Sequence, residues 1–249
     1  MDWSDTTRPL KAHVRNLVAE ACGKGKKRAI MFPAGQALDV ALFLAKGILS
    51  KRTKLHAIEA DKDTARQMWL ALFKLGMGPK DKIHNGPAHE LSVEEETDLA
   101  FLDFCGPGTR EEMDWIHSIA SKISGPKADV FVTLKLNNRG AGFFADFLRS
   151  ISGAPEFKME LAKVQGTPTT KVTLDGTVFN EESTEPTKRA LAAQRLALRQ
   201  VFSGLRFNME HVVYRDLDTS TGKTQGSREM SLIHLHNFRS AQDRLLDWQ

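Results

Sequence analysis

The sequence predicts an α/β protein built on one mostly parallel, seven-stranded sheet with helices on both faces. Between residues 28 and 150, short apolar strands alternate with helical segments of about a dozen residues, as in repeated βαβ units. Near the C terminus, two strands are joined by a polar connection too short for a crossover helix, so they should pair antiparallel. Residues 1–249 are expected to form a single domain, because a chain of this length can bury a substantial core.

The elements of the first half follow from local apolar periodicity. An N-terminal helix within residues 1–23 is expected over 8–21, and Gly23 should end it. Strands are then expected at 28–32, 55–58, 82–84, 99–104 and 129–136, with helices at 37–49, 64–75 and 109–123. The strand 129–136 is almost continuously apolar, as a parallel strand covered on both faces should be.

The last third of the chain departs from this alternation. Residues 153–186 are rich in Thr, Gly and Pro and are expected to form an insertion or lid, with a small hairpin around Asp175-Gly176. A helix with one apolar side should follow over 187–202. Strands at 209–217 and 230–238 then form the expected antiparallel pair.

Composition and cysteine content favour a soluble, cytoplasmic protein without a membrane partner. The chain is 41% hydrophobic and 27% charged, and no apolar run approaches the roughly 20 residues that a membrane helix needs. The N terminus lacks the pattern of a secretory signal. Cys22 and Cys105 lie far apart, so neither a disulfide framework nor a metal site is expected. His234 and His236 alternate on one predicted strand, but the sequence predicts no third ligand beside them.

The net charge of +4 is compatible with a nucleic-acid partner. Basic clusters at 24–28, 51–54 and 80–82 each precede a predicted strand. In a parallel sheet they should gather at the amino edge, opposite the usual ligand crevice. We interpret them as mostly solvating side chains, and a nucleic-acid platform is the alternative.

The order of elements over residues 28–238 resembles the class I S-adenosylmethionine-dependent methyltransferases. The segment from Phe32 to Ala37 follows the first strand, where that family has a glycine-rich loop near the methionine part of the cofactor. In this degenerate loop only Gly35 remains of the usual glycines. The resemblance implies S-adenosylmethionine as the cofactor, with Pro33, Ala34 and Gly35 beside it.

The resemblance also assigns the loops after the second and third strands. Glu59, with Ala60 beside it, falls where the family places the acid that accepts hydrogen bonds from the ribose hydroxyls. The alternative is that Glu59 or Asp61 caps the helix that follows. Asn85 and Ala88 resemble the loop on the adenine side.

The loop after the fourth strand is where the family holds the methyl acceptor. Asp103, beside the cofactor, could orient or deprotonate an acceptor atom. Cys105 could attack C6 of a pyrimidine as a thiolate, and the alternative is a small buried residue in a turn.

Four further residues are expected to border the acceptor: Phe104, Pro107, Lys135 and Asn137. The sequence thus predicts a methyltransferase whose acceptor could be RNA or DNA. The first alternative is a catalytically inactive module of the same fold that binds nucleic acid or protein. The second, a nicotinamide-dependent enzyme, lacks the Gly-x-Gly-x-x-Gly fingerprint.

Overall fold

The computed structural model describes the central sheet, its helices and a second small sheet. The described residues are 9–78, 82–104, 109–123, 125–135, 158–164, 167–174, 177–181, 194–195, 197–199, 201–202, 204–216 and 228–240. Three predicted site residues, Cys105, Pro107 and Asn137, lie outside these ranges.

Helices occur close to the predicted positions. They are α1 (Pro9–Ala21), α2 (Leu38–Ala45), α3 (Lys62–Lys74) and α4 (Arg110–Ala120), with a 3₁₀ turn at Ala88–Glu90. Residues 194–195, 197–199 and 201 are helical and fall inside the predicted helix 187–202. Among the described helices, none is both long enough and apolar enough to cross a membrane.

Capping residues explain where these helices begin and end. Asp61 accepts a hydrogen bond from the Thr64 amide at 2.8 Å and caps α3. Thr109 and Glu112 form a capping box at the start of α4. The prediction for α2 was wrong at its end, because that helix stops at Ala45 instead of continuing to residue 49. The reason is Gly47, whose left-handed φ of 71° turns the chain out of the helix.

The strands form two sheets. The strands are β1 (Arg28–Met31), β2 (Lys54–Glu59), β3 (Lys82–Asn85), β4 (Leu99–Asp103), β5 (Asp129–Lys135), β6 (Lys158–Val164), β7 (Thr167–Leu174), β8 (Thr177–Glu181), β9 (Leu205–Asp216) and β10 (Arg228–Ser240). The larger sheet has seven strands in the order β3-β2-β1-β4-β5-β10-β9. Strands β1 to β5 are mutually parallel, and β10 runs antiparallel to both β5 and β9. The predicted terminal antiparallel pair on the same sheet is therefore confirmed.

Each face of the large sheet carries its own apolar layer. Side chains alternate along β4, because successive residues of a strand point to opposite faces. Ala100 and Leu102 pack in the layer that contains the apolar side of α4. Leu99 and Phe101 pack in the other layer, with residues of α1, α2 and α3. Helices thus cover both faces, as predicted.

The insertion forms the second sheet, with the order β6-β7-β8 and antiparallel pairing throughout. Leu174 pairs with Thr177 across the predicted Asp175-Gly176 turn, so the predicted hairpin is confirmed. The sheet contains one more strand, β6, than the sequence indicated. All three strands lie inside the predicted insertion 153–186.

Candidate functional site

A cavity of about 530 Å³ lies at the carboxyl edge of the parallel strands. Ligands of open α/β sheets bind at this edge. The ends of β1 to β4 and the loops that follow them contribute most of the lining: Phe32, Ala34, Ile58, Glu59, Ala60, Gly86, Pro87, Ala88, His89, Phe101, Asp103 and Phe104. The remaining lining residues are Lys11, Val14 and Arg15 of α1, Asp39 of α2, and Thr109, Glu111 and Glu112 at the start of α4.

The loop after β1 has a glycine-type backbone built from alanines. Ala34 and Ala37 have φ values of 52° and 47°, in the left-handed region that favours glycine. Each such residue costs roughly 1–2 kcal/mol when it carries a Cβ atom. The loop therefore keeps a tight left-handed course although the usual glycines are missing, and Ala34 reaches the cavity as predicted.

Gly35 has a packing function in this loop. A Cβ atom at Gly35 would lie 3.0 Å from Gln67 Oε1 and 3.4 Å from Gln67 Cβ on α3. The absence of a side chain thus lets the loop pack closely against α3. Neither Gly35 nor Pro33 is among the residues that line the cavity, and their contact with a cofactor stays a prediction.

The end of β2 places Glu59 at the cavity beside Ala60. Glu59 Oε1 accepts a hydrogen bond from the Asp61 amide at 3.0 Å, which fixes the side chain at the loop. Asp61 is the residue that caps α3, so Glu59 is not that cap. Asn85 Nδ2 donates to the Glu59 carbonyl at 3.1 Å, and Asn85 itself is not a lining residue. Asn85 therefore joins the β2 and β3 loops in the structure.

The loop after β3 forms the next wall. Ala88 lines the cavity as predicted, together with Gly86, Pro87 and His89. His84 Nε2 lies 3.0 Å from the Pro87 carbonyl oxygen and holds the loop closed. A Cβ atom at Gly86 would lie 3.0 Å from His84 Nε2, so a larger residue would displace the histidine.

Asp103, at the end of β4, forms an ion pair with Lys11 of α1. The other carboxylate oxygen of Asp103 accepts a hydrogen bond from the Thr133 hydroxyl on β5. The Lys11 and Asp103 side chains are 18% and 16% exposed, so this pair is shielded but still borders the cavity. Sequence reasoning identified Asp103 and missed Lys11.

A second ion pair, between Arg15 and Asp39, lies beside the first and is more deeply buried. Burial raises the pKa of Asp39 to about 6, although the Arg15 guanidinium opposes this shift. Lys11 and Arg15 are four residues apart on α1 and therefore project from one face. That spacing was the sequence signal that could have revealed both cations.

The apolar part of the cavity is an aromatic cluster. Phe104 is buried and meets Phe32 edge to face, with ring centroids 5.1 Å apart. Phe32 stacks on Trp115 at 6.3 Å, and Trp115 Nε1 donates to the Leu91 carbonyl at 2.8 Å. Phe104 thus forms part of a fixed wall, and its contact with an acceptor stays a prediction.

Lys135 ends β5 outside the set of residues that line the cavity. Its carbonyl oxygen accepts a hydrogen bond from Gln194 Nε2 at 3.1 Å. The Gln194 side chain also accepts from the Ser231 hydroxyl at 2.7 Å. The structure therefore shows Lys135 in a backbone contact with the helical segment, and its predicted contact with an acceptor is untested.

This strand order, with β10 antiparallel between β5 and β9 and a cavity at the carboxyl edge, is that of the Rossmann-like methyltransferase fold. The sequence-based expectation for the fold class is confirmed. No protein-family model matches the sequence, and no curated protein sequence matches it.

Solved structures of this fold resemble the chain at low sequence identity. The mitomycin 7-O-methyltransferase MmcR is 13% identical with a TM-score of 0.49, over 94% of this chain and 56% of MmcR. An rRNA methylase from Streptococcus thermophilus is 11% identical with a TM-score of 0.46, over 92% and 96% of the two chains. Precorrin 8w decarboxylase from Methanobacterium thermoautotrophicum is 17% identical with a TM-score of 0.44, over 92% and 91%. These similarities concern the fold alone.

Proposed function

We propose that the protein binds S-adenosylmethionine in the cavity and transfers its methyl group to an acceptor that enters beside Asp103. The main support for this proposal is the position of two acids. Glu59 and Asp103, at the ends of different parallel strands, line the same cavity at the carboxyl edge of a Rossmann-like methyltransferase fold. These are the two acids for which the sequence resemblance implies a ribose contact and an acceptor contact.

The cofactor would lie across the loops after β1, β2 and β3. The Glu59 carboxylate would accept hydrogen bonds from the ribose hydroxyls, since an ionised carboxylate can accept several at once. Ala34 would lie near the methionine part, and the wall that contains Gly86 and Ala88 would face the adenine.

The methionine part of the cofactor carries both an ammonium and a carboxylate group. The cavity offers charges of both signs in the Lys11–Asp103 and Arg15–Asp39 pairs. Charge-assisted hydrogen bonds to such groups are about twice as strong as neutral ones. The two ion pairs therefore support binding of a zwitterionic ligand.

Methyl transfer needs in-line placement of the acceptor and the sulfonium, with water excluded. Phe32 and Phe104 supply an apolar wall for this purpose. Asp103, fixed by Lys11 and Thr133, would orient the acceptor atom or remove its proton. An attack by Cys105 on a pyrimidine is the second route that the sequence suggests.

We propose RNA or DNA as the acceptor. The β6-β7-β8 insertion would be the lid that selects it. Residues 1–249 would form a single domain. The net charge of +4 supports this class of acceptor, and Lys158, Lys163 and Lys171 lie in the insertion. Deleting residues 156–182 behind a short Gly-Ser bridge removes all three strands together. Cofactor binding should remain and methylation of the acceptor should be lost; normal methylation would contradict the role of the insertion.

Calorimetry with S-adenosylmethionine, S-adenosylhomocysteine and NAD tests the cofactor. We expect one binding site for each of the first two ligands and none for NAD. Binding of NAD alone would favour the nicotinamide-dependent alternative, and the absence of all binding would favour an inactive binding module of the same fold.

The catalytic part is tested with Asp103→Asn and tritiated S-adenosylmethionine, with pooled RNA and DNA as acceptors. With the cofactor at saturating concentration, we expect methyl transfer to fall by roughly 10²–10⁴-fold, because proton transfer contributes that much. Asp63→Asn, on α3 away from the cavity, is the matched control and should leave the rate unchanged. An unchanged rate in Asp103→Asn would contradict the proposed role of Asp103.

A further inference from the structure

Two imidazoles and a carboxylate meet on the outer strands of the large sheet, away from the cavity. His234 and His236 lie two residues apart on β10 and therefore on one face. Glu210 of β9 is the direct partner of His234 in the strand register. One candidate ligand atom from each of the three residues lies within 4.8 Å of the others. The sequence showed the histidines, and the pairing of β9 with β10 supplies the third residue that it could not.

The ring of His234 is fixed from two sides. Its Nε2 lies 2.8 Å from Asp129 Oδ1, and the ring stacks on Phe131 with centroids 4.1 Å apart. Its second nitrogen, Nδ1, is buried and has no hydrogen-bond partner among the described residues. An unpaired buried polar atom is costly and requires an explanation.

His236 also has a buried ring nitrogen without a hydrogen-bond partner among the described residues. Its Nε2 is buried and makes no hydrogen bond within the described part of the chain, although Glu210 Oε1 lies 3.5 Å away. The His234 and His236 rings stack with centroids 4.6 Å apart. Two stacked imidazoles, each with a buried nitrogen that has no partner among the described residues, thus lie beside the Glu210 carboxylate.

Asp129 supports His234 in the way that carboxylates support metal-binding histidines. Metal-binding histidines generally donate their other ring N–H to such a group, which fixes the tautomer and the ring orientation. Asp129 also accepts hydrogen bonds from Lys26 Nζ at 2.6 Å and the Gly23 amide at 3.0 Å. These contacts anchor the carboxylate that orients His234 and leave Nδ1 as its ligand atom.

We propose that Glu210, His234 and His236 bind a divalent transition-metal ion of the zinc type. Nitrogen and carboxylate donors suit such an ion, and water would complete a tetrahedral set. Bonds of roughly 2.0–2.2 Å place tetrahedral ligand atoms about 3.4 Å apart, so the three residues must close slightly. Glu210 is 70% exposed and can move to do so.

The site is independent of the proposed methyl transfer. Asp129 is the first residue of β5, so the cluster lies toward the amino edge of that strand, whereas the cavity lies at the carboxyl edge. A metal ion there would join β9 to β10. Its expected effect is on the stability of this strand pair, and cofactor binding should not change.

Titration of the metal-free full-length protein with Co²⁺ and with Zn²⁺ tests the proposal. We expect one ion per chain, visible d–d absorption of bound Co²⁺ typical of fewer than six ligands, and a higher Tm. Glu210→Gln and His236→Ala should each weaken binding by at least about tenfold. His211→Ala is the matched control. His211 is the next residue along β9 after Glu210 and points to the opposite face, so the variant protein should bind the ion normally.

Circular dichroism of each variant separates loss of the site from loss of the fold, and Glu210→Gln changes an exposed side chain. No Co²⁺ or Zn²⁺ binding by the unmodified protein would overturn the proposal. Unchanged affinity in both Glu210→Gln and His236→Ala, or an equal loss in His211→Ala, would overturn it as well.

Discussion

The two edges of the parallel sheet use buried acids in opposite ways. At the amino edge, Asp129 accepts hydrogen bonds from Lys26, from the Gly23 amide and from His234. At the carboxyl edge, Asp39 is paired with Arg15 beside an open cavity. Both carboxylates are largely withdrawn from water, and their surroundings differ in the number of groups that donate to them.

The difference appears in the proton affinities of the two acids. Burial alone would raise the pKa of Asp129, but the hydrogen bonds from His234, Lys26 and Gly23 outweigh it and lower the value to about 2. Burial dominates at Asp39 and raises its pKa to about 6 against the attraction of Arg15. At the amino edge, the hydrogen bonds to Asp129 therefore form a network that holds strands together. At the carboxyl edge, Asp39 has fewer donors, and a bound ligand could still stabilise its charge.

The sharpest test of this contrast is Asp129→Asn. The substitution leaves the buried Lys26 ammonium without its countercharge, which typically costs about 3–5 kcal/mol in the free energy of unfolding. Urea denaturation at neutral pH measures the loss. Glu95→Gln removes a half-buried acid, 39% exposed and paired with Arg28 at the same edge, and should change stability much less. Similar effects of the two substitutions would show that the network does not hold the strands together.

The second test uses the opposite pKa shift of Asp39. The folded state keeps a proton that the unfolded chain releases, so the contribution of Asp39 to stability is full below pH 4 and declines as the pH rises to about 6. The stability of the unmodified protein minus that of Asp39→Asn should fall by up to about 3 kcal/mol over this range. Denaturation curves at several pH values measure the difference. A difference that rises with pH would contradict the raised pKa.

The third and smallest effect concerns the backbone of the cavity loop. Replacing Ala34 by Gly removes a Cβ atom from a left-handed residue and should increase the free energy of unfolding by about 1 kcal/mol. Ala37→Gly is the matched comparison, because the Ala37 side chain is fully buried and its lost packing offsets the relief of strain. A Tm that falls in Ala34→Gly would show that the loop is not strained at this position.

The sequence was sufficient for the fold because apolar periodicity reports which strands are buried. The long apolar strand β5 and the short polar connection after β9 fixed the parallel and antiparallel parts of the sheet. The end of α2 was missed, because the apolar pattern continues through Ile48 and Leu49 after the helix has turned at Gly47.

Only part of the candidate site could be predicted from the sequence, because some of its residues do not follow a predicted strand. Glu59, Ala88 and Asp103 follow predicted strands, so their place at the carboxyl edge could be inferred. Lys11 lies 92 residues from its partner Asp103, and no local pattern reports such a pairing.

In the basic cluster at residues 24–28, at the amino edge, a pairing with a residue distant in sequence was also not visible from the local pattern. Lys24 and Lys27 are exposed, as the solvating interpretation predicts. Lys26 is the exception in this cluster, since it is buried against Asp129, whose position beside it depends on the order of the strands.

Calorimetry of Glu59→Gln measures whether the carboxyl edge binds S-adenosylmethionine through Glu59. We predict that the unmodified protein binds the cofactor and that the substitution weakens binding by about 1–3 kcal/mol, the typical loss for a hydrogen bond to a charged group. Glu94→Gln, at an exposed position outside the cavity lining, should bind normally. Equal affinity of Glu59→Gln and the unmodified protein, with both folded, would contradict the account.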